Sequence, residues 1–252
     1  MKKLSLSLIL VIAVAFYARS QQEVNTNQTD DKGLKQGFWI DKAADLIIEG
    51  NYVDNLKAGL WLTHLAENGL LIKLENYKQD LKDGVFIQLS KQGYLVSEQY
   101  FSNNIPNGPF RQYGQGGFQI SENNYLTGKY HGMQLTYYEN SKKKSEESNY
   151  SNGIKDGPSK WYNMEGNLIA EYIYINGQLQ GEQKSFFNDG KLRTSEIYRN
   201  NENEGAYTEY YENGSVKTSG QYRAGLKDGK WIEYDETGTI LKSKVFAKGV
   251  EK

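Results

Sequence analysis

The sequence predicts an all-β protein: tandem β-hairpin repeats that join into one elongated, twisted antiparallel sheet. A marker glycine recurs every 22 to 25 residues and defines nine repeats, and each of the first eight repeats has an aromatic residue seven positions before the next marker. Such a period indicates a repeat array. The marker glycines are Gly37, Gly59, Gly84, Gly108, Gly132, Gly157, Gly181, Gly205 and Gly229. The aromatic series is Tyr52, Tyr77, Phe101, Tyr125, Tyr150, Tyr174, Tyr198 and Tyr222, and Phe246 continues it.

Two predicted turns in each repeat indicate that the repeat forms a β-hairpin. Glycine, asparagine or aspartate precedes each marker by four positions, and these residue types tolerate positive φ. A second turn inside the repeat has Asn-Gly or Asp-Gly in several copies, such as Asn213-Gly214 and Asp189-Gly190, and this pair favours a tight hairpin. The runs between the turns have strand length, and none has a helical period. Each repeat is therefore predicted to form one hairpin.

The composition favours a single sheet over a two-layer globule. The chain has 20 tyrosines and 9 phenylalanines, but few aliphatic residues in the repeats to fill an interior between layers. Nine hairpins make about eighteen strands, which at about 4.8 Å each extend over about 85 Å. A sheet of that many strands is expected to twist or curl.

The alternation of side chains along a strand predicts which rings share a face. A three-residue inner loop ending at glycine places Tyr234 opposite Ile240, with Phe246 on the same side, so this face would hold the packed tyrosine rows. A two-residue loop would reverse the faces, and the sequence leaves both open. Without a bulge, the residue two positions after each marker points the other way. We therefore predict a partner-binding row of Trp39, Trp61, Phe86, Phe110, Tyr207 and Trp231. The alternative is that these rings brace neighbouring turns.

The N-terminus is predicted to direct export. Lys2 and Lys3 precede an apolar run that ends at Tyr17, and small residues flank a cleavage site between Ser20 and Gln21. Residues 1–20 are thus read as a signal peptide, residues 21–32 as a disordered polar linker, and residues 33–252 as the repeat domain. The alternative for residues 1–20 is a membrane anchor, for which the run is short. We expect a periplasmic or extracellular protein without stable membrane insertion after cleavage.

Charge and motifs argue against enzymatic chemistry and nucleic-acid binding. Removal of residues 1–20 changes the formal net charge from −1 to −4, so no basic surface is expected to attract nucleic acid. The two histidines, His64 and His131, lie in different repeats, and the chain has no cysteine, so no zinc site is predicted. No hydrolase elbow or phosphate-binding loop is present. We expect no enzyme activity, no metal and no cofactor.

The repeats resemble the MORN repeat, in its bacterial MORN-variant form. The resemblance rests on Tyr222-Arg-Ala-Gly225-Leu-Lys-Asp-Gly229-Lys-Trp231 and on Tyr174-Ile-Asn-Gly177-Gln-Leu-Gln-Gly181, and it extends over residues 33–252. It implies stacked hairpins in an elongated sheet. Bacterial members are often described as antitoxin-like, and eukaryotic relatives act as scaffolds. Four repeats depart from the Tyr-x-x-Gly element, at Asn55, Asp80, Asn104 and Asn201.

Three functional hypotheses follow from these observations. The first is an exported, non-enzymatic repeat scaffold that binds another protein through an extended sheet surface. The second is a module that binds the cell wall or a glycan. The third is an antitoxin-type or immunity-type inhibitor of a toxin.

Overall fold

The computed structural model describes residues 25–252, so the predicted signal peptide and its cleavage site lie outside the described residues. The described chain is almost entirely β-structure, with one short 3-10 turn at Gln115–Gly117. It forms two compact units that meet in sequence between Gly128 and Lys129.

The N-terminal unit consists of four hairpins in chain order, which pair β2 with β3, β4 with β5, β7 with β8 and β9 with β10. Successive hairpins also pair side by side, so the unit is one antiparallel sheet. Its strands are β1 (Gln28–Thr29), β2 (Lys35–Ala43), β3 (Leu46–Val53), β4 (Leu56–Leu65), β5 (Leu71–Lys78), β6 (Leu81–Lys82), β7 (Gly84–Leu89), β8 (Leu95–Ser102), β9 (Ile105–Tyr113) and β10 (Gln119–Leu126).

The C-terminal unit contains five hairpins of the same kind, which pair β12 with β13, β14 with β15, β17 with β18, β19 with β20 and β21 with β22. Its strands are β11 (Lys129–Tyr130), β12 (Gly132–Tyr137), β13 (Lys144–Ser151), β14 (Ile154–Tyr162), β15 (Leu168–Ile175), β16 (Gln178–Leu179), β17 (Gly181–Phe186), β18 (Leu192–Arg199), β19 (Glu202–Tyr210), β20 (Val216–Arg223), β21 (Leu226–Tyr234), β22 (Ile240–Ala247) and β23 (Val250–Glu251). The nine hairpins of residues 25–252 confirm the predicted all-β repeat fold.

The turns between hairpins explain the four departures from the repeat pattern. Each such turn has two consecutive residues at positive φ, as at Asn152 (φ 51°) and Gly153 (φ 86°), which is the backbone of a type I′ hairpin turn. Where the second residue is not glycine, its side-chain oxygen accepts a hydrogen bond of 2.6 to 2.7 Å from a backbone N–H of the preceding repeat. The acceptor and donor pairs are Asn55 with Lys35, Asp80 with Lys57, Asn104 with Lys82 and Asn201 with Leu179.

Part of the predicted linker belongs to the fold. Strand β1 pairs with the start of β2, and the Asn27 side chain both accepts from the backbone N–H of Ile40 (2.7 Å) and donates to its carbonyl (2.9 Å). The amide of Asn27 thereby continues the ladder along the outer side of β2. The disordered linker expected over residues 21–32 therefore does not extend across residues 27–32.

A register shift inside the hairpins decides which side chains share a face. As predicted from a three-residue inner loop, Tyr234 lies opposite Ile240, but Glu233 pairs with Lys242 and Gly229 with Phe246. One extra residue in the second strand forms a β-bulge, which reverses the alternation beyond it. The same shift occurs in every described hairpin except β2–β3. Phe246 and its counterparts are therefore on the face of Trp231, and their expected place beside Tyr234 is wrong.

Candidate functional site

Five of the six residues of the predicted partner-binding row contact another aromatic ring, namely Trp39, Trp61, Phe86, Tyr207 and Trp231. Trp61 is 1% exposed, Trp231 6% and Phe86 9%, while Trp39, Phe110 and Tyr207 are half-buried. Trp61 packs edge-to-face on Tyr52, with ring centroids 4.9 Å apart, and Trp231 packs in the same way on Tyr222 at 5.0 Å. The expected assignment of this row to the unpacked face is wrong, because the β-bulge brings the row and the tyrosine series together. We call the side that carries both the ring face.

Two tryptophans of the row lie directly on the backbone of the preceding strand. A Cβ added to Gly50 would stand within 3 Å of three ring atoms of Trp61, and one added to Gly220 would meet Trp231 in the same way. The strand pairing is irregular at both glycines. There the indole N–H of each tryptophan donates to a backbone carbonyl at 3.2 Å, from Trp61 to Asn51 and from Trp231 to Gln221.

In the seventh repeat, a polar residue occupies the buried position two residues after the marker glycine. Gln183 is 1% exposed. Its amide accepts from the N–H of Ile173 (2.7 Å) and donates to the carbonyl of Gln180 (2.9 Å). Ile173 corresponds to Asn51 and Gln221 in the two tryptophan repeats, and the Gln183 amide also donates to the Ile173 carbonyl at 3.4 Å, so glutamine contacts the same backbone carbonyl that the indole contacts elsewhere. The position has a structural role, which burial of a ring or of an amide can fulfil.

In five repeats a lysine side chain lies over the rings of the ring face. In each, the lysine two positions before the marker glycine places its ammonium 4.1 to 5.5 Å from the centroids of two rings. These lysines are Lys35, Lys57, Lys82, Lys155 and Lys227. Cation–π contacts of this length are attractive, and the ring faces they cover are occupied by the chain itself.

Charged residues alternate between neighbouring strands on the face opposite the rings. In the N-terminal unit the Arg111 guanidinium lies 2.9 Å from Glu122 and 3.3 Å from Glu98. The hydrogen bond with Glu122 is the largest of the causes that raise the pKa of Arg111 above its usual range. In the C-terminal unit Lys160 lies 3.3 Å from Glu171. On this face each of these basic side chains thus lies beside a carboxylate.

The histidine of the second repeat takes the place of a tyrosine. His64 Nε2 lies 3.4 Å from Glu49 Oε1, and Glu49 is 5% exposed. In the sixth repeat the hydroxyl of Tyr162 donates to Glu147 at 2.7 Å, across the same separation of fifteen residues. His64 therefore serves as a packing residue that contacts a buried carboxylate. Within residues 25–252, no three potential metal ligands cluster together.

An exposed aliphatic row was missed in the sequence. It runs along the turns between hairpins of the N-terminal unit, and its side chains are 37 to 55% exposed. We define the aliphatic row as Val53, Leu56, Leu81, Ile105 and Leu126. Val53 and Leu56 line a half-open groove of about 350 Å³ together with Ala58 and Tyr77. An aliphatic residue three positions before successive markers was the available signal.

Comparisons with known proteins agree with this architecture. The family described as MORN repeat variant matches residues 130–152, 179–200, 203–224 and 227–247. A search of curated proteins finds no match to the chain. Over residues 25–252, no helix is long and apolar enough to cross a membrane. The four matched segments fall on the repeat that the strands and turns define, and these four segments are repeats of the MORN repeat variant type.

Proposed function

We propose that the protein is an exported, non-enzymatic scaffold that binds another protein along the aliphatic row of its N-terminal unit. The observation that carries this proposal is the row itself, because aliphatic side chains exposed at successive turns recur at about 10 Å, the width of two strands. Contiguous exposed apolar groups are typical of protein-binding surfaces. The row replaces the rings of the predicted site as the contact surface.

The charge around the row indicates the chemistry of the partner. Residues 25–128 contain nine lysines and arginines and twelve aspartates and glutamates. Two of these acids, Asp54 and Asp80, lie in the turns that carry the row. A partner segment with apolar side chains beside basic ones complements this surface.

The packing of the rings favours a protein partner over a glycan. Sugars stack on open aromatic faces, whereas Trp61 and Trp231 are buried and have a lysine ammonium at 4.4 and 4.1 Å from the ring centroid. The row is aliphatic and offers no stacking platform. The inhibitor hypothesis stays a prediction, to be tested against a toxin encoded next to this gene.

The first test replaces two residues of the row by charges. We expect the Leu56→Glu/Ile105→Glu variant to lose capture of the partner from an envelope extract, because a carboxylate in an apolar contact must be desolvated. The matched control is Leu241→Glu/Val250→Glu, which changes two residues 65% and 69% exposed in the C-terminal unit. If both variants captured the same protein, or if neither captured it, the proposed surface would be contradicted.

Export makes a separate prediction. Expression of the full chain should yield an exported protein whose N-terminal sequence begins at Gln21, because the basic, apolar and small-residue segments before it form a cleavable signal. Edman sequencing of the exported fraction measures this. A soluble cytoplasmic protein that keeps Met1 would overturn the export part of the proposal and leave the binding part testable.

A further inference from the structure

The five lysines of the ring face define an ammonium position that recurs within the chain. In the first repeat Lys35 Nζ lies 4.3 Å from the centroid of Trp39 and 4.7 Å from that of Tyr52. These two rings are 5.8 Å apart at an angle of 88°. The fold thus builds a pair of nearly perpendicular rings, and a lysine side chain fills the space above them.

The eighth repeat has the same pair of rings without the lysine. Tyr207 and Tyr222 are 5.9 Å apart at 88°, nearly as the two rings of the first repeat are, and Tyr207 in addition stacks on Trp231 at 5.4 Å. Asn203 takes the place of the lysine, and it pairs with Tyr198 in the register in which Lys227 pairs with Tyr222. Asparagine is shorter than lysine and carries no charge, so at this position the eighth repeat supplies no ammonium group of its own to the two rings.

A carboxylate lies beside this position. Glu196 is the strand partner of Tyr207, and its Oε2 accepts a hydrogen bond of 2.7 Å from the Asn203 amide. The Tyr198 side chain also hydrogen-bonds to Glu196, and none of the ion pairs of the described residues involves this carboxylate. Burial, together with the charges of Glu209 and Glu196, raises the pKa of Tyr207 to about 12, against the opposing effect of the exposed Arg193. Two ring faces and a carboxylate make an environment that favours a cation.

We propose that Tyr207, Tyr222 and Glu196 form a binding site for the ammonium group of a lysine side chain from a protein partner. The five filled repeats indicate the occupant, because there the same position holds a lysine ammonium. The site extends the proposed protein-binding function to the C-terminal unit. It is separate from the aliphatic row, and a small-molecule probe tests it whether or not the row binds a protein.

The experiment is a titration of the full mature chain with n-butylammonium chloride, followed by the NMR signals of the Tyr207 and Tyr222 rings and of the Trp231 indole. Butan-1-ol at the same ionic strength is the uncharged control. The wild-type protein should show saturable shifts with butylammonium only. Shifts that are linear, or equal to those caused by butanol, overturn the proposal.

Two variants at one position locate the site. Asn203→Lys should fill it from within, as in the five other repeats, and weaken butylammonium binding by about tenfold or more. Asn203→Gln, which adds bulk without a charge, should bind the probe nearly as the wild type does. Butylammonium binding that is unchanged in Asn203→Lys would overturn the proposal, provided that the signals of the other repeats show the variant folded.

A last comparison identifies lysine as the ligand. Nα-acetyl-lysine amide should cause the same saturable shifts as butylammonium, and the form also acetylated on Nε should not, because acetylation removes the charge. Equal shifts with both forms would mean that the stem and not the ammonium is recognised, which contradicts the proposal.

Discussion

Replacing Trp61 with alanine is expected to lower the free energy of unfolding by about 3–5 kcal/mol, the usual loss for a large aromatic residue removed from a packed core. Trp61 is 1% exposed, lies on the backbone at Gly50 and hydrogen-bonds to the carbonyl of Asn51. Alanine would leave a cavity above Gly50 and an unsatisfied carbonyl at the irregular pairing. Urea unfolding followed by circular dichroism measures the loss.

The control for this substitution is Val53→Ala, which truncates a residue 55% exposed in the same unit and should cost well under 1 kcal/mol, as surface substitutions usually do. If the two variants unfolded at the same urea concentration, the buried position of Trp61 would be contradicted. The expected loss reverses the interpretation that the sequence alone suggested, in which Trp61 and Phe86 contribute to binding and little to stability.

Replacing Gly220 with alanine is expected to destabilise the C-terminal unit by about 1–3 kcal/mol, because the new Cβ would stand within 3 Å of three ring atoms of Trp231. The backbone of Gly220 has no positive φ. Elsewhere in a strand the same change would stabilise by about 0.4–1 kcal/mol through the unfolded chain. A loss of stability in Gly220→Ala, in place of a gain, therefore indicates the contact with the indole. Thermal unfolding measures this change in stability.

Two further variants make this test specific. Gly114→Ala is the matched control, since Gly114 also has an ordinary φ of −85° and its added Cβ would meet Ile120 only at ordinary contact distance. In a Trp231→Gln background, Gly220→Ala should cost less than it does in the wild type, because the indole that the new Cβ would meet is absent. The seventh repeat already combines a side chain at the first of these positions, Tyr172, with Gln183 at the second. If Gly220→Ala lowered the free energy of unfolding no more than Gly114→Ala does, the close packing of Trp231 on Gly220 would be contradicted.

The period of the sequence was sufficient to predict the repeats and their turns. The residues four positions before each marker have positive φ or stand next to one that does, as at Asn55 and Gly153, because only a few residue types adopt that backbone at low cost. Asn55 also shows a limit of the pattern. Its departure from glycine is explained by a hydrogen bond to the preceding repeat, at the N–H of Lys35, and a contact between repeats has no signature within one repeat.

The face to which the predicted site was assigned is wrong for a reason that lies in the pairing of strands. Of the two inner loops that the sequence left open, the three-residue loop is the one formed, and it pairs Tyr234 with Ile240. Side chains alternate with a period of two, so one extra residue in the second strand transfers every later side chain to the other face. Phe246 and Trp231 were assigned to opposite faces for this reason. The bulge has no distinctive residue type in these repeats, so the local sequence did not indicate it.

The sequence by itself determined the all-β class, the nine repeats and their resemblance to the MORN repeat variant, because turn-forming residues and rings recur at positions that depend only on local backbone chemistry. The tertiary structure decided which rings are buried, which five ring pairs lie under a lysine ammonium, and which aliphatic side chains stay exposed at the turns. These features depend on register and on contacts between repeats, which are set only when neighbouring strands pair.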